Sequence, residues 1–290
     1  MWKRLWIWIA WASCLLVLVS PSQPGAALAQ SPTGQAQEEQ PQAKTLEEFE
    51  AYRKFMGETN PDTQIRLIED FLLAYPDTGL KEYAFQAATQ AYQAKNDYTR
   101  VLTYGELTLA ENEDNLMALL ILAAAIPERT QKSDLDREEK LSEAGGYAKR
   151  VLEVLSRLPK PASLSEEEWK RTREDTEATA RAASGLIAMI REDLAEAELQ
   201  LRRATELALR PDPITLYRLG LCYSLQKKYD LALEVLERAA SSGGVKISDA
   251  DGQTRDLVVE AKEFALKAKE ATGTHAPVSG ATPGSVAGGP

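Results

Sequence analysis

The sequence predicts an all-α protein assembled from antiparallel helix pairs. Three observations carry that expectation. Strong helix formers (Leu, Ala, Glu, Lys and Arg) dominate the middle of the 290-residue chain. Helix-start signals recur along it, and no run of alternating apolar and polar residues marks a strand. A pattern of small and large apolar residues around Gly220 is echoed 35 positions upstream, the mark of a repeated architecture.

The N-terminus reads as a separate object. MWKRLWIWIAWASCLLVLVS has a basic start at Lys3 and Arg4 and an apolar run from Leu5 to Val19. PSQPGAALAQ follows, with small residues at Ala27 and Ala29. This is the layout of a secretory signal peptide over residues 1–29, cut between Ala29 and Gln30. The apolar run is short beside the roughly 20 residues a bilayer span needs. Left uncleaved, it would act as a membrane anchor. Cys14 is a poor lipid-attachment site, because Trp11 stands where an aliphatic residue belongs and the apolar run continues past it. Cleavage would remove two cations and no acid, taking the net charge from -10 to about -12. It would also leave Cys222 and Trp169 as the only residues of their types, so no intramolecular disulfide could form.

Residues 30–44, QSPTGQAQEEQPQAK, lack apolar periodicity and read as a disordered linker. Residues 272–290 are rich in Gly, Pro and Ala and read as a disordered tail; it contains the only His, His275. The folded body is therefore expected over residues 45–271. Its helix starts are punctuated. Thr45 and Glu48 form a capping box, and Ser165 with Glu168 repeats it. Asn60 before Pro61, and Asp212 before Pro213, place a cap ahead of a first-turn proline.

The best-marked stretch is LYRLGLCYSLQKKYDLALEVLERAA, residues 216–240. Gly220, Ala232 and Ala239 are small where two helices must approach closely. Leu219, Tyr223 and Leu236 fill the space between them. This spacing resembles the tetratricopeptide repeat family, with Leu236 in place of the usual Phe. The upstream copy keeps residue type at Gly185, Ala197, Leu201 and Ala204, while Tyr223 maps to Ala188. Lys227 departs from the family's preference for Gly in the interhelical turn, and a Lys adopts that turn at some cost.

Three weaker units precede these. The first, residues 49–80, ends in YPDT and resembles repeats of periplasmic outer-membrane assembly lipoproteins. The second has Tyr92, Tyr98, Val101 and Gly105 in register. In the third, Leu122-Ala123 stands in the Leu-Gly place, and its second helix, AGGYAKRVLEVLSRL, arrives late, so PERTQKSDLDREEKLSE carries an insertion. At the end, Leu257, Val258, Ala261, Phe264, Ala265 and Ala268 form an apolar stripe and resemble the helix that closes such arrays. The resemblance implies a right-handed α-solenoid of about five helix pairs, one interrupted, with a C-terminal capping helix.

Residues for chemistry are scarce. One His and one mature Cys cannot build a zinc site. SDADGQT fails as a calcium loop: with Gly252 as the turn residue, Ile247 and Val258 fall on ligand positions. It reads instead as a polar loop capping the next helix. In SSGGVK, Lys246 is followed by Ile247, so no phosphate loop is present. No catalytic residue, metal or cofactor is expected. A carboxylate pair in a groove is the remaining enzymatic reading. The acidic balance disfavours nucleic acid.

The expected function is therefore an exported, non-catalytic scaffold binding another protein or peptide, periplasmic or secreted, with no membrane span after cleavage. An accessory role in a cell-envelope assembly is the alternative. The resemblance implies a concave face formed by the first helix of each pair: Tyr83, Gln86, Gln90 and Gln93 in one unit, and Ile214, Tyr217, Leu221, Ser224 and Leu225 in the last. The equivalent set between them is Thr179, Ala182, Leu186, Met189 and Ile190. Its apolar members would be covered by a long helix starting at Glu166 or by the insertion, since large open apolar patches are rare. The cationic set that chaperone-binding family members use to hold a C-terminal carboxylate is missing.

Overall fold

The computed structural model describes residues 43–248 and 252–273. The signal-like segment with Ala29 and Gln30, and the tail from residue 274 with His275, lie outside the described residues. The chain divides into two compact units between Glu111 and Asn112.

The first unit holds α1 (Leu46–Met56), α2 (Pro61–Ala74), α3 (Lys81–Ala94) and α4 (Tyr98–Glu111), each packed on the next in sequence. Two helix starts follow the sequence signals. Thr45 Oγ1 accepts the Glu48 backbone N–H at 3.1 Å, and Asn60 Oδ1 accepts that of Thr63 at 3.0 Å. The Glu48 carboxylate reaches back past the cap to the Lys44 N–H at 2.5 Å. It also accepts the Thr78 hydroxyl, so the buried carboxylate ties α1 to the loop before α3. Phe55 and Phe71 meet edge-on at 5.2 Å in the α1–α2 core. Ala84, Ala87, Ala88 and Ala91 are buried on α3 and let α4 approach closely.

The second unit holds α5 (Leu116–Arg129), α6 (Arg137–Arg157), α7 (Glu166–Ile190), α8 (Leu194–Leu207), α9 (Pro213–Leu225) and α10 (Tyr229–Ser241). A two-stranded hairpin, β1 (Lys246–Ser248) and β2 (Thr254–Asp256), precedes α11 (Leu257–Gly273). Sequence neighbours pack pairwise again, α5 also lies against α7, and α11 closes the array on α10. The described architecture is all-α apart from that hairpin, and the helices pair in chain order.

Four expectations are corrected here. First, the insertion is only partly a loop. Helix α6 begins at Arg137, two turns ahead of the expected Ala144. Glu138 and Glu139 suit its first turn, and Leu141 and Ala144 are buried beneath it. The Arg137 guanidinium donates to the Ile190 carbonyl at the C-terminus of α7, and Arg191 pairs with Glu138. Second, α7 runs unbroken for 25 residues, so Ala182, Leu186 and Ile190 belong to the helix starting at Glu166 and are not covered by it.

Third, the hairpin contradicts the strand-free reading. Its strands have three residues each, too short to show alternation. They pair antiparallel with Ile247 opposite Arg255. Asp256 fixes the base by accepting the N–H groups of Val245 at 3.2 Å and Val258 at 3.0 Å. A Cβ at Gly244 would lie 2.2 Å from that carboxylate, and its φ of +68° is left-handed. Fourth, the α11 stripe is narrower than expected. Val258, Ala261 and Ala265 are buried, whereas Phe264 is 60% exposed. Lys262 and Lys269 pair with Glu237 and Asp230 of α10 and set the helix rotation. Phe264 sits about 100° around from Ala265 and misses the contact.

Candidate interaction surface

Every large and small residue of the repeat signature is at the core. Ala197, Leu201, Ala204, Leu219, Tyr223, Ala232, Leu236 and Ala239 are all buried, as are Gly185 and Gly220. A Cβ at Gly220 would lie 2.6 Å from Leu236 Cγ and Cδ2; at Gly185 it would lie 2.5 Å from Leu201 Cγ. The same glycine–leucine contact thus occurs twice, 35 residues apart.

The interhelical turns repeat as well. Asn96, Glu192 and Lys227 adopt φ values of 57°, 63° and 61°. After each, a backbone N–H closes on the helix before it: Asp97 on Tyr92, Asp193 on Ala188 and Lys228 on Tyr223, at 2.9–3.0 Å. This places Tyr92, Ala188 and Tyr223 at one structural position. In the α3–α4 pair the size order is then reversed. Buried Thr89 stands where Gly185 and Gly220 do, and Gly105 where Leu201 and Leu236 do. Thr89 also returns its hydroxyl to the Phe85 carbonyl at 2.8 Å. Sequence comparison by residue type missed this exchange because both members had changed.

On α3, Tyr83, Gln86, Gln90 and Gln93 share one half-buried arc about 80° wide, bordered by half-buried Glu82, and Ala84, Ala87, Ala88, Thr89, Ala91 and Tyr92 are buried outside it. Tyr83 lies edge-on to Tyr52 of α1 at 6.1 Å, and Phe49 stacks on Tyr52 at 6.3 Å. Burial raises the Tyr83 hydroxyl above its ordinary pKa, with Glu82 adding to the shift.

On α9, Ile214, Tyr217 and Leu221 are half-buried against the core of the second unit, Ser224 is buried and Leu225 is exposed. Burial raises the Tyr217 hydroxyl too. Thr179, Ala182, Leu186, Met189 and Ile190 on α7 are half-buried. The two faces differ in one respect. Arg218 of α9 pairs with Glu128 of α5 at 3.2 Å, although α7 lies between those helices. The pair thus links two helices that each pack on α7. Nothing in the sequence spacing pointed to it.

A cleft of about 230 Å³ between α6 and α7 is lined by Leu152, Leu155, Ser156, Arg173, Glu177 and Arg181. Arg181 is engaged within the chain, to Glu177 at 2.7 Å and Gln200 at 3.0 Å. Cys222 is buried, and burial pushes its thiol pKa up, against the direction a reactive thiolate needs. Among the described residues no helix is long and apolar enough to cross a membrane.

Consecutive helix hairpins, a recurring glycine–leucine contact and a closing helix define an all-α helical-repeat architecture. The chain is similar to the crystal structure of a thermophilic TPR protein in Thermus thermophilus, with 18% identity, 76% of this chain and 99% of that one covered, and a TM-score of 0.48. It is also similar to the MamA RS-1 ArsTM double mutant, with 14% identity, coverages of 67% and 92%, and a TM-score of 0.48. No protein-family profile and no curated protein matches it.

Proposed function

We propose that this chain is an exported, non-catalytic scaffold that binds another protein through the first helices of its pairs. The observation that carries the reading is the state of those helices. About half of their positions are buried in helix packing, while Tyr83, Gln86, Gln90, Gln93, Tyr217 and Leu221 stay half-buried. Within each unit, stacked helix pairs present such residues on a surface suited to a polypeptide. Export rests on the basic, apolar and small-residue order of residues 1–29.

An accessory role in an envelope assembly was suggested by YPDT. Thr78 of that stretch is buried and bonded to Glu48 and to the Leu80 N–H, so its residue type answers to loop structure. The general scaffold reading therefore needs the motif for nothing. Affinity capture with the full chain from cell-envelope extracts tests it. One stoichiometric protein partner is expected; no partner, together with turnover on a substrate panel, would replace the scaffold with an enzyme. Fractionation with N-terminal sequencing tests export, and a mature chain starting at Gln30 is the expected product.

A further inference from the structure

We propose that the first two turns of α6, residues 137–144, form a charge-held flap. It opens by unwinding at Gly145 and Gly146 while the rest of the second unit stays folded, and it uncovers α7 at Ile187.

Two glycines stand in succession inside this 21-residue helix. Each lowers helix propagation about fivefold relative to Ala. At Gly185 and Gly220 that cost has a packing reason, because a Cβ there would collide with a leucine. At Gly145 and Gly146 a Cβ would meet nothing within 4 Å outside the helix's own backbone. Both glycines have ordinary helical backbone, so no turn requires them either. The weakness is therefore placed at one point of α6 without a contact to account for it, and paired small residues are where helices bend.

The two sides of that point are held differently. On the C-terminal side, Ala148 shares a core cluster with Ala123 of α5 and Ala183 of α7. Val151, Val154 and Leu155 are buried beyond it, and Arg150 pairs with Asp114 at 2.8 Å. On the N-terminal side only Leu141 and Ala144 are buried, and the remaining ties are polar. The Arg137 guanidinium donates to the Ile190 carbonyl, and Arg191 pairs with Glu138 and donates to the Ser142 hydroxyl at 3.0 Å. Arg137 Nε is buried without a hydrogen-bond partner among the described residues, which offsets part of what its bond contributes. Glu138 and Arg191 are both exposed, so salt screens their pair.

The preceding loop does not resist the movement. Lys140 pairs with Asp134 and Asp136, and those bonds travel with the flap. Lys132 reaches Glu192 through an exposed pair, and Leu135 is fully exposed. Helices α6 and α7 run antiparallel, with Arg137 at Ile190 and Ala148 beside Ala183. Leu141 and Ala144 therefore cover the stretch of α7 between those points, where Ile187 is buried. Segments joined to a core by few apolar contacts and exposed polar ties are the ones that open locally.

Hydrogen exchange on the full chain tests the flap. Amides of residues 141–144 are expected to exchange about tenfold or more faster than those of 151–155. Gly145→Ala with Gly146→Ala should slow residues 141–144 about tenfold, whereas simple fraying of a helix end would not respond to positions 145 and 146. Arg191→Gln should speed the same amides several-fold, and 1 M salt should do so in the parent but not in that variant. Thiol labelling reads the uncovering itself. In a Cys14→Ser, Ile187→Cys chain, position 187 should react about tenfold or more faster than Cys222, which is buried and reports opening of the whole unit. The alanine pair should slow labelling at position 187. Equal exchange on the two sides of the glycines, exchange at 141–144 unmoved by the alanine pair, or labelling at position 187 no faster than at Cys222 overturns the proposal.

Discussion

Leu236 fills the space a side chain would need at Gly220: a Cβ there would fall 2.6 Å from the leucine's Cγ and Cδ2. The glycine is therefore a packing requirement, since its backbone is ordinary helix. Gly220→Ala should cost about 1–3 kcal/mol by overpacking, and Gly185→Ala a similar amount through Leu201. Thermal unfolding followed by circular dichroism measures both. Gly220→Ala combined with Leu236→Ala should cost less than the sum of the two single changes, because the truncated leucine no longer meets the new Cβ.

The Glu48 carboxylate makes a prediction about pH. Burial raises its pKa, but bonds from the Thr78 hydroxyl and the Lys44 and Thr45 backbone outweigh that and hold it below the usual 4.5. A depressed folded-state pKa means stability that is present above the unfolded value and lost as pH falls through the folded one. Glu48→Gln should cost about 1–3 kcal/mol at pH 7, the usual range for a lost partner of a buried polar group. The gap between the variant and the parent should narrow as pH drops below 4.5. Urea titrations at pH 7 and pH 3.5 compare the two, and a gap constant across that range would mean the carboxylate contributes no linkage.

Lys227 and Glu192 hold left-handed backbone at φ 61° and 63°, a region that disfavours side chains. Gly at either site should stabilise the second unit by about 1 kcal/mol, the strain relieved exceeding the unfolded-state entropy that Gly adds. Asn96, at φ 57°, is already the non-glycine residue that tolerates this turn best, so Asn96→Gly should change much less. Denaturant midpoints rank the three.

These sites show which parts of the fold could be read in advance. Helix caps are local chemistry, so Thr45, Asn60, Ser165 and Asp212 all marked true helix starts. The glycine–leucine contact was legible because the residues repeat at one spacing. The Thr89–Gly105 exchange was not, since a reversed pair conserves volume without conserving residue type. The β1–β2 hairpin was hidden by its length, and the Arg218–Glu128 pair by the 90 residues separating its members. Of the candidate surface, the half-buried arc of α3 followed from 3.6-residue periodicity, while the edge-on contact of Tyr52 with Tyr83 needed α1 and α3 to be brought together by packing.

Phe264 separates an apolar stripe read from periodicity from the contact that forms. It is 60% exposed, whereas Val258 is fully buried. Phe264→Ser should therefore change stability by no more than about 0.5 kcal/mol. Val258→Ala removes the equivalent of two buried methylenes and should cost about 2 kcal/mol. Reversal of that order in calorimetry would mean that α11 is rotated by about one residue on α10.

The Arg218–Glu128 pair invites a double-mutant cycle. Both side chains keep some solvent exposure, at 21% and 29%, so screening limits the coupling to about 1 kcal/mol. Glu128→Gln, Arg218→Gln and the double variant should give a coupling of that size at low salt, falling in 1 M salt, where the Debye length is about 3 Å. The pair joins helices that each pack on α7. Its loss should therefore loosen α5 and α9 relative to α7, read as faster amide exchange at Ala182 and Leu186, with the α3 face unchanged. Unaltered exchange there, with no coupling in the cycle, would make the pair a surface contact with no hold on the helices it connects.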